Sequence, residues 1–153
     1  MALPIETVRL IIKTAVEAQG MKFYFGTDAD AFLEKLESGA ELETDGFCLM
    51  RDTTDNIKNL NEDWQLIPIR LSLERQTVMG AVLLVEDEQG TLAARQDLRT
   101  AMYNEWIDIL EYIRENNFDT DIQDDWTYKF ISFGENVTEG VMVDFNMLIN
   151  GYC

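Results

Sequence analysis

The feature that most constrains this fold is one long helical pattern followed by two alternating strand patterns, all within residues 92–149. In the helical part the apolar residues recur every three or four positions, which is the spacing of a helix with one buried face. Over 126–131 and 141–149 apolar and polar residues alternate, which is typical of strands in an antiparallel sheet with one buried face. The stripes consist of Leu98, Met102, Trp106, Ile109, Leu110 and Ile113 on the helix, and Val141, Val143, Phe145, Met147 and Ile149 on the last strand. We therefore expect the helix to lie across the face that presents Val143, Phe145 and Met147.

The rest of the chain predicts two more helices and four more strands. Gly20 is a suitable end for the first helix, and Gly39 for the short second one. Pro68 has no backbone N–H to donate, so its strand is expected at a sheet edge or with a bulge. This order of elements predicts an α+β fold, with a mainly antiparallel sheet packed against a long helix, an N-terminal helix and a short second helix. The additional helices are predicted at 4–19 and 28–39, the strands at 22–26, 47–50, 64–73 and 78–85, and a polar loop at 51–63.

Length and composition indicate a single domain over residues 1–153, because 153 residues of which 46% are hydrophobic can bury a sizeable core. No apolar run reaches the roughly 20 residues of a membrane span. The first six residues lack the pattern of a signal peptide, so we expect a protein that is intracellular when it is made. Cys48 lies in an apolar run and is expected to be a buried free thiol, and with Cys153 at the last position a disulfide is not expected.

The motifs of common enzyme classes are absent from the sequence. It contains no histidine, no Cys-x-x-Cys pair, no phosphate-binding loop and no Gly-x-Ser-x-Gly elbow. A pair of carboxylates could still act as in glycosidases, but among 29 Asp and Glu residues no pair stands out. We therefore predict a protein that is not an enzyme and has no catalytic, cofactor or metal site.

One acidic segment resembles the start of a calcium-binding loop. Asp119 and Asp121 give the Asp-x-Asp spacing, with Asp124 and Asp125 close behind. However, Asp124 occupies the sixth position, where the loop needs glycine, and Phe130 occupies the twelfth, where a bidentate Glu belongs. The segment is therefore predicted to be a solvated loop without a metal ion.

The net charge of −17 excludes binding to nucleic acid through phosphate contacts, which require lysine and arginine. Three interpretations of this charge remain open: a surface that keeps the protein soluble, a surface that lies near DNA without holding it, and a mimic of DNA phosphates. The polar side of the long helix, with Asp97, Asn104, Asp108, Glu111 and Glu115, is one place where the charge is concentrated.

The three tryptophans have different expected roles. Trp106 lies on the apolar stripe of the helix and is predicted to be in the core. Trp64 and Trp126 each begin a strand beside acidic residues, and tryptophan is enriched at the centres of interfaces. We therefore treat Trp64 and Trp126 as candidates for a subunit contact.

Three stretches, 95–116, 126–134 and 140–150, resemble the tail-terminator and neck-ring proteins of tailed phages. In that class an aromatic-rich strand and a Gly/Asn turn precede a strand of the form Gly-Val-x-Val-x-Phe-x-x-x-Ile. Here the turn is at 134–136, and the last strand has Val141, Val143, Phe145 and Ile149 after Gly140. The resemblance is one of element order, no invariant catalytic residue defines the class, and segment 41–63 has no counterpart in it.

The resemblance implies a non-enzymatic virion subunit in a homo-oligomeric ring, commonly a hexamer or dodecamer, at the head–tail junction or the tail end. Its neighbours would be portal, connector or tail-tube proteins, and it would assemble in the host cytoplasm without a membrane. Genomic DNA would pass through the ring without specific binding, because a carboxylate-lined channel repels phosphates. The acidic segments 28–30, 41–45 and 86–88 are candidates to face the channel, and we expect the acidic surface to be clustered rather than even.

Two other functions fit the sequence. An acidic DNA mimic that inhibits a DNA-binding protein would explain the charge and the missing catalytic motifs, but it needs rows of carboxylates at phosphate-like spacing. A small intracellular binding or adaptor domain would need an apolar pocket that stays exposed in the monomer.

Overall fold

The computed structural model of the chain describes residues 4–26, 47–51, 57–61, 63–76, 88–117, 119–133 and 138–150. The predicted α+β class is confirmed: this part of the chain has two helices and a mixed seven-stranded sheet. The predicted second helix at 28–39, the strand at 78–85 and the acidic segments 28–30 and 41–45 lie outside the described residues. The helices are α1 (Pro4–Ala18) and α2 (Glu88–Asn116), and the strands are β1 (Lys22–Gly26), β2 (Phe47–Arg51), β3 (Lys58–Asn59), β4 (Trp64–Gln76), β5 (Thr120–Ile122), β6 (Thr127–Phe133) and β7 (Thr138–Asn150).

The sheet is built around β4 and β7, which pair antiparallel along their whole length, from Trp64 opposite Asn150 to Gln76 opposite Thr138. The strand order is β1-β2-β4-β7-β5, with β3 beside β4 and β6 beside β7. Only β1 and β2 are parallel among the described pairs, and every other pair is antiparallel. The sheet is therefore mixed, with its one parallel pair at the β1 edge.

Side chains of alternate residues in β4 and β7 form one face of the sheet together with the helices. In β7 the predicted positions Val143, Phe145 and Met147 are 0%, 3% and 0% exposed, which confirms their burial. The Trp106 ring of α2 lies 5.1 Å from the Phe145 ring, and α1 contacts α2, β1 and β7. The buried positions of the helices are Val8, Ile12, Ala15 and Val16 in α1, and Met102, Trp106, Ile109, Leu110 and Ile113 in α2.

Helix α1 ends at Ala18, and Gly20, which the sequence predicted as its terminator, lies in the turn that follows. Gly20 has a positive φ of 78°, a conformation that glycine adopts without the steric penalty of a side chain. Its N–H donates to the Glu17 carbonyl oxygen at 3.0 Å, and the N–H of Met21 donates to the Val16 carbonyl oxygen at 3.3 Å. These bonds satisfy carbonyl groups that the end of the helix would otherwise leave open.

Two short strands and the place of Pro68 differ from the sequence predictions. The predicted polar loop at 51–63 contains Arg51 of β2 and all of β3, and the predicted acidic loop contains β5. The sequence predicted an edge strand or a bulge at Pro68. Strand β4 instead lies inside the sheet, and its pairing with β7 runs through Pro68 opposite Asn146 without a bulge, so both alternatives were wrong. In the described part of the chain β3 pairs with β4 at Gln65 and Leu66, β2 pairs with it from Leu71 onward, and Pro68 lies between these two stretches.

We predict that Phe145→Ala lowers the free energy of unfolding by about 3–5 kcal/mol, because the ring is buried against Trp106. Urea denaturation monitored by circular dichroism measures the change. The matched control is Asn146→Ala on the other face of β7, where the side chain is half-buried, and its effect should be much smaller. An unchanged midpoint for Phe145→Ala would mean that the two faces of β7 are assigned the wrong way round.

Candidate functional site

The outer edge of the sheet beside β7 is formed by β5 and β6, which are separated by a bulge. Ile122 pairs with Met147 and Thr127 pairs with Asp144, so the four residues 123–126 lie opposite only two, Phe145 and Asn146. The Gln123 N–H still donates to the Asn146 carbonyl oxygen at 3.0 Å. Such an insertion bends the edge and increases its local twist.

Exposed carboxylates gather where α2 ends and the bulged edge begins. Arg114 lies among these carboxylates, and it donates to Asp124 Oδ1 at 2.7 Å and to the Ile122 carbonyl oxygen at 3.1 Å. The ion pair is open to solvent, with the Asp124 side chain 94% exposed, so it contributes little stability. We call this surface the acidic end, and its exposed members are Asp108, Glu111, Glu115, Asp119, Asp124 and Asp125. Asp121 is also exposed, but on β5 it lies on the face of the sheet opposite to buried Ile122.

A row of aromatic rings runs from the core to the exposed edge. Its ring centroids are 5.1 Å apart for Trp106 and Phe145, 5.7 Å for Trp106 and Trp126, and 5.9 Å for Trp126 and Tyr128. Exposure rises along the row from 0% at Trp106 to 47% at Tyr128 and 40% at Phe130. The aromatic row comprises Phe145, Trp106, Trp126, Tyr103, Tyr128 and Phe130.

The structure places the three tryptophans in different surroundings. The prediction that Trp106 belongs to the core is confirmed. Trp126 is half-buried within the aromatic row, and Trp64 is half-buried at the start of β4, opposite Asn150. The structure therefore does not bring Trp64 and Trp126 into one patch, and a subunit contact at either stays a prediction.

On the other face of the sheet, Arg70 and Asp144 form an ion pair in a groove of about 430 Å³. Arg70 donates from Nε at 2.7 Å and from Nη2 at 3.3 Å to the two carboxylate oxygens. The hydrogen bond to Asp144, followed by the charge of Asp144, raises the pKa of Arg70 further above its ordinary value. Both side chains are nearly half exposed, so the pair adds little stability, and its charges are satisfied by each other.

Cys48 is a buried free thiol, as predicted. Burial, and secondarily the negative charge of Glu74, raise the pKa of Cys48 well above its ordinary value. The thiol therefore remains protonated at physiological pH, and it lacks the thiolate form that acts as a nucleophile or metal ligand.

The residues of the incomplete calcium motif are distributed over several structural elements. Asp119 lies in a turn, Asp121 on β5, and Asp124 is bonded to Arg114 in the bulge. Among the residues that the structure describes, no three acidic or cysteine side chains are grouped so that they could hold a metal ion. In the same part of the chain, neither helix combines the length and the apolar character required to cross a membrane.

No model of a known protein family matches the chain, and no curated protein matches it in sequence. The candidate site is therefore defined by its own chemistry: an acidic end, a bulged sheet edge and an aromatic row that becomes exposed at that edge. Sequence reasoning identified the carboxylates and Trp126 separately. It missed that β5, the bulge and β6 place the carboxylates and the aromatic residues side by side along β7.

We predict that calorimetric titration with calcium or magnesium reveals no site tighter than about millimolar, the range of weak extracellular calcium modules. The physical reason is the distribution of the motif carboxylates over a turn, a strand and a bulge. Asp121→Ala is the matched variant. A micromolar binding signal that disappears in Asp121→Ala would contradict the prediction.

We also predict that Glu115→Gln stabilises the protein by about 0.3–1 kcal/mol at low ionic strength, because a carboxylate in the last turn of α2 faces the negative end of the helix dipole. The gain should shrink as salt screens the interaction. Asp97→Asn removes the same charge from an exposed position away from both ends of α2, so it serves as the control. Equal stabilisation by both variants would attribute the effect to net charge rather than to the dipole.

Proposed function

We propose that this chain is a non-enzymatic structural subunit of a tailed-phage particle, which forms a ring at the head–tail junction or at the tail end. The proposal rests on the resemblance in element order over 95–116, 126–134 and 140–150. A protein of that class would have a long helix packed on a mainly antiparallel sheet, and the 29-residue α2 beside β7 supports this part of the proposal. The ring would contact portal, connector or tail-tube proteins.

The observation that carries the proposal is the concentration of exposed carboxylates at the acidic end. Asp108, Glu111 and Glu115 follow one another at helical spacing, and the acidic residues of the bulged edge continue the surface. By contrast, the exposed face of α1 has two acids, Glu6 and Glu17, and two bases, Arg9 and Lys13. A surface with one strongly acidic side suits a channel wall, which must repel DNA phosphates while other sides contact protein.

A ring also requires surfaces that join copies, and the sheet has two suitable edges. In the described part of the chain β1 pairs only with β2, and β6 pairs only with β7. Different edges at opposite ends of one sheet favour a head-to-tail contact, which generates a closed ring when the rotation between copies permits it.

The same acidic stripe on α2 favours a second candidate function, a DNA mimic. Asp108 and Glu115 are about 10 Å apart along the helix axis, from a rise of 1.5 Å per residue. A mimic would present these carboxylates to the cationic groove of a DNA-binding protein instead of to DNA. The two functions predict different partners for the same surface.

We predict that electron microscopy of intact particles will locate this chain in a ring at the head–tail junction or the tail end, with the acidic end on the inner wall. Absence from particles, together with recovery of a host DNA-binding enzyme on the purified chain, would reject the ring and favour the mimic. The charge argument has its own test within the particle. The triple variant Asp108→Lys, Glu111→Lys, Glu115→Lys should leave rings intact but slow DNA release. The control variant Glu6→Lys, Glu17→Lys should leave both the rings and the rate of DNA release unchanged.

A further inference from the structure

We propose that copies of this chain join by antiparallel pairing of β6 of one copy with β1 of a second copy, so that one sheet continues across the contact. The inference deepens the proposed function by assigning the contact surface, and it rests on that function only for closure into a ring. Addition of a strand to a sheet edge supplies affinity through backbone hydrogen bonds and specificity through alternate side chains.

In the part of the sheet that the structure describes, the two strands lie at opposite edges and run in suitable directions. From β1 to β6 the order passes through β2, β4 and β7, with one parallel pair followed by three antiparallel pairs. Strand β6 therefore runs opposite to β1. When a second copy is placed beside the first with its sheet in the same orientation, β6 and the new β1 are antiparallel neighbours.

The register of the sheet places aromatic residues of both edges on the same face and in the same rows. Each row can be followed across the sheet through consecutive cross-strand partners. One row is Tyr128, Val143, Leu71, Met50 and Phe25, and the next is Phe130, Val141, Leu73, Cys48 and Phe23.

Continuation of these rows brings the aromatic side chains of the two edges together. Tyr128 would lie opposite Phe25 of the second copy, and Phe130 opposite Phe23. Tyr128 and Phe130 are 47% and 40% exposed in the isolated chain, so the contact would cover the exposed end of the aromatic row. Cross-strand aromatic pairs are among the interactions that stabilise antiparallel sheets.

Opposite charges would meet at one end of the contact. Arg9 of α1 lies 5.0 Å above the Phe25 ring, and Lys22 is exposed at the start of β1. Asp124 and Asp125 are exposed in the bulge that immediately precedes β6. Because Phe25 shares a row with Tyr128, pairing of the edges brings Arg9 of the second copy toward this part of the bulge. Arg9 of one copy thus approaches the acidic bulge of the other. In the same register Lys22 lies far from the bulge and beside Lys129, so these two cations oppose the contact.

The β6 edge is a better contact surface for a second copy than the exposed apolar residue of α1. Leu10 of α1 is 64% exposed and is the most exposed large apolar side chain in the described part of the chain. It is a single residue on a helix, whereas β6 combines two exposed aromatics with a strand edge that β7 pairs on one side only. A lysine on an edge strand, such as Lys129 on β6, discourages pairing with another strand. Its side chain, however, lies on the opposite face of the sheet from Tyr128 and Phe130.

Thiol cross-linking of the full chain tests the contact directly. In a Cys153→Ser background, Lys22→Cys and Lys129→Cys are purified separately, mixed over a concentration series and treated with a short bismaleimide. We expect a cross-linked dimer that joins one copy of each variant, and no cross-linked dimer from either variant alone. Lys58→Cys, exposed on β3 away from both edges, replaces Lys22→Cys as the control and should give none.

Other results of this experiment would overturn the proposal. Cross-linking of Lys129→Cys with itself would mean that two β6 strands meet in a symmetric pair. Equal cross-linking of Lys58→Cys would mean random collision, and the absence of any product at every concentration would mean that these edges do not join.

Sedimentation of two serine variants provides an independent measurement. Phe130→Ser should weaken self-association by about ten-fold, the effect of losing one important interface aromatic, whereas Leu10→Ser should leave it unchanged. The reverse result would move the contact to α1 and reject the β6–β1 pairing.

The proposed contact and the proposed function can be rejected independently of each other. Cross-linking of Lys22→Cys to Lys129→Cys with the chain absent from phage particles would retain the contact and reject the virion role. A chain located in the particle whose β6 and β1 edges are not adjacent would retain the virion role and reject the contact.

Discussion

The pairing of β4 with β7 is the interaction on which the rest of this fold depends. The two strands match over their full thirteen residues, although paired residues such as Arg70 and Asp144 are 74 positions apart in the chain. Closing so long a loop costs conformational entropy, and burial of the alternate apolar side chains on one face offsets it. Strands β2 and β1 then extend the sheet from β4, and β5 and β6 extend it from β7.

Local periodicity explains which parts of the fold could be predicted from the sequence. The burial of Val143, Phe145 and Trp106 follows from repeats within single elements, which require no knowledge of a partner. Strands β3 and β5 have two and three residues, too few to show alternation, and only pairing with β4 and β7 makes them strands. Pro68 was misplaced for a related reason, because the position of β4 inside the sheet depends on partner strands that its own residues do not reveal.

The candidate site was harder to predict because it consists of many weak interactions instead of a few reactive groups. Net charge is a property of composition, but its location depends on how elements meet in space. At the acidic end, Arg114 of α2 donates a hydrogen bond to Asp124, and this bond holds the β5–β6 bulge beside the helix that carries the other carboxylates. Carboxylates in the last turns of a helix oppose its dipole, so this concentration is not explained by helix stability.

The size of the net charge does not by itself prevent copies of the chain from associating. Salt at physiological strength screens exposed charges that are more than about 8 Å apart, so distant carboxylates contribute little repulsion across a contact. What matters is the charge within the proposed contact, where Arg9 beside β1 differs in sign from Asp124 and Asp125 before β6, while Lys22 lies beside Lys129. The charge pattern that opposes general aggregation is therefore compatible with one directional contact, whose affinity would come mainly from strand pairing and from the aromatic rows.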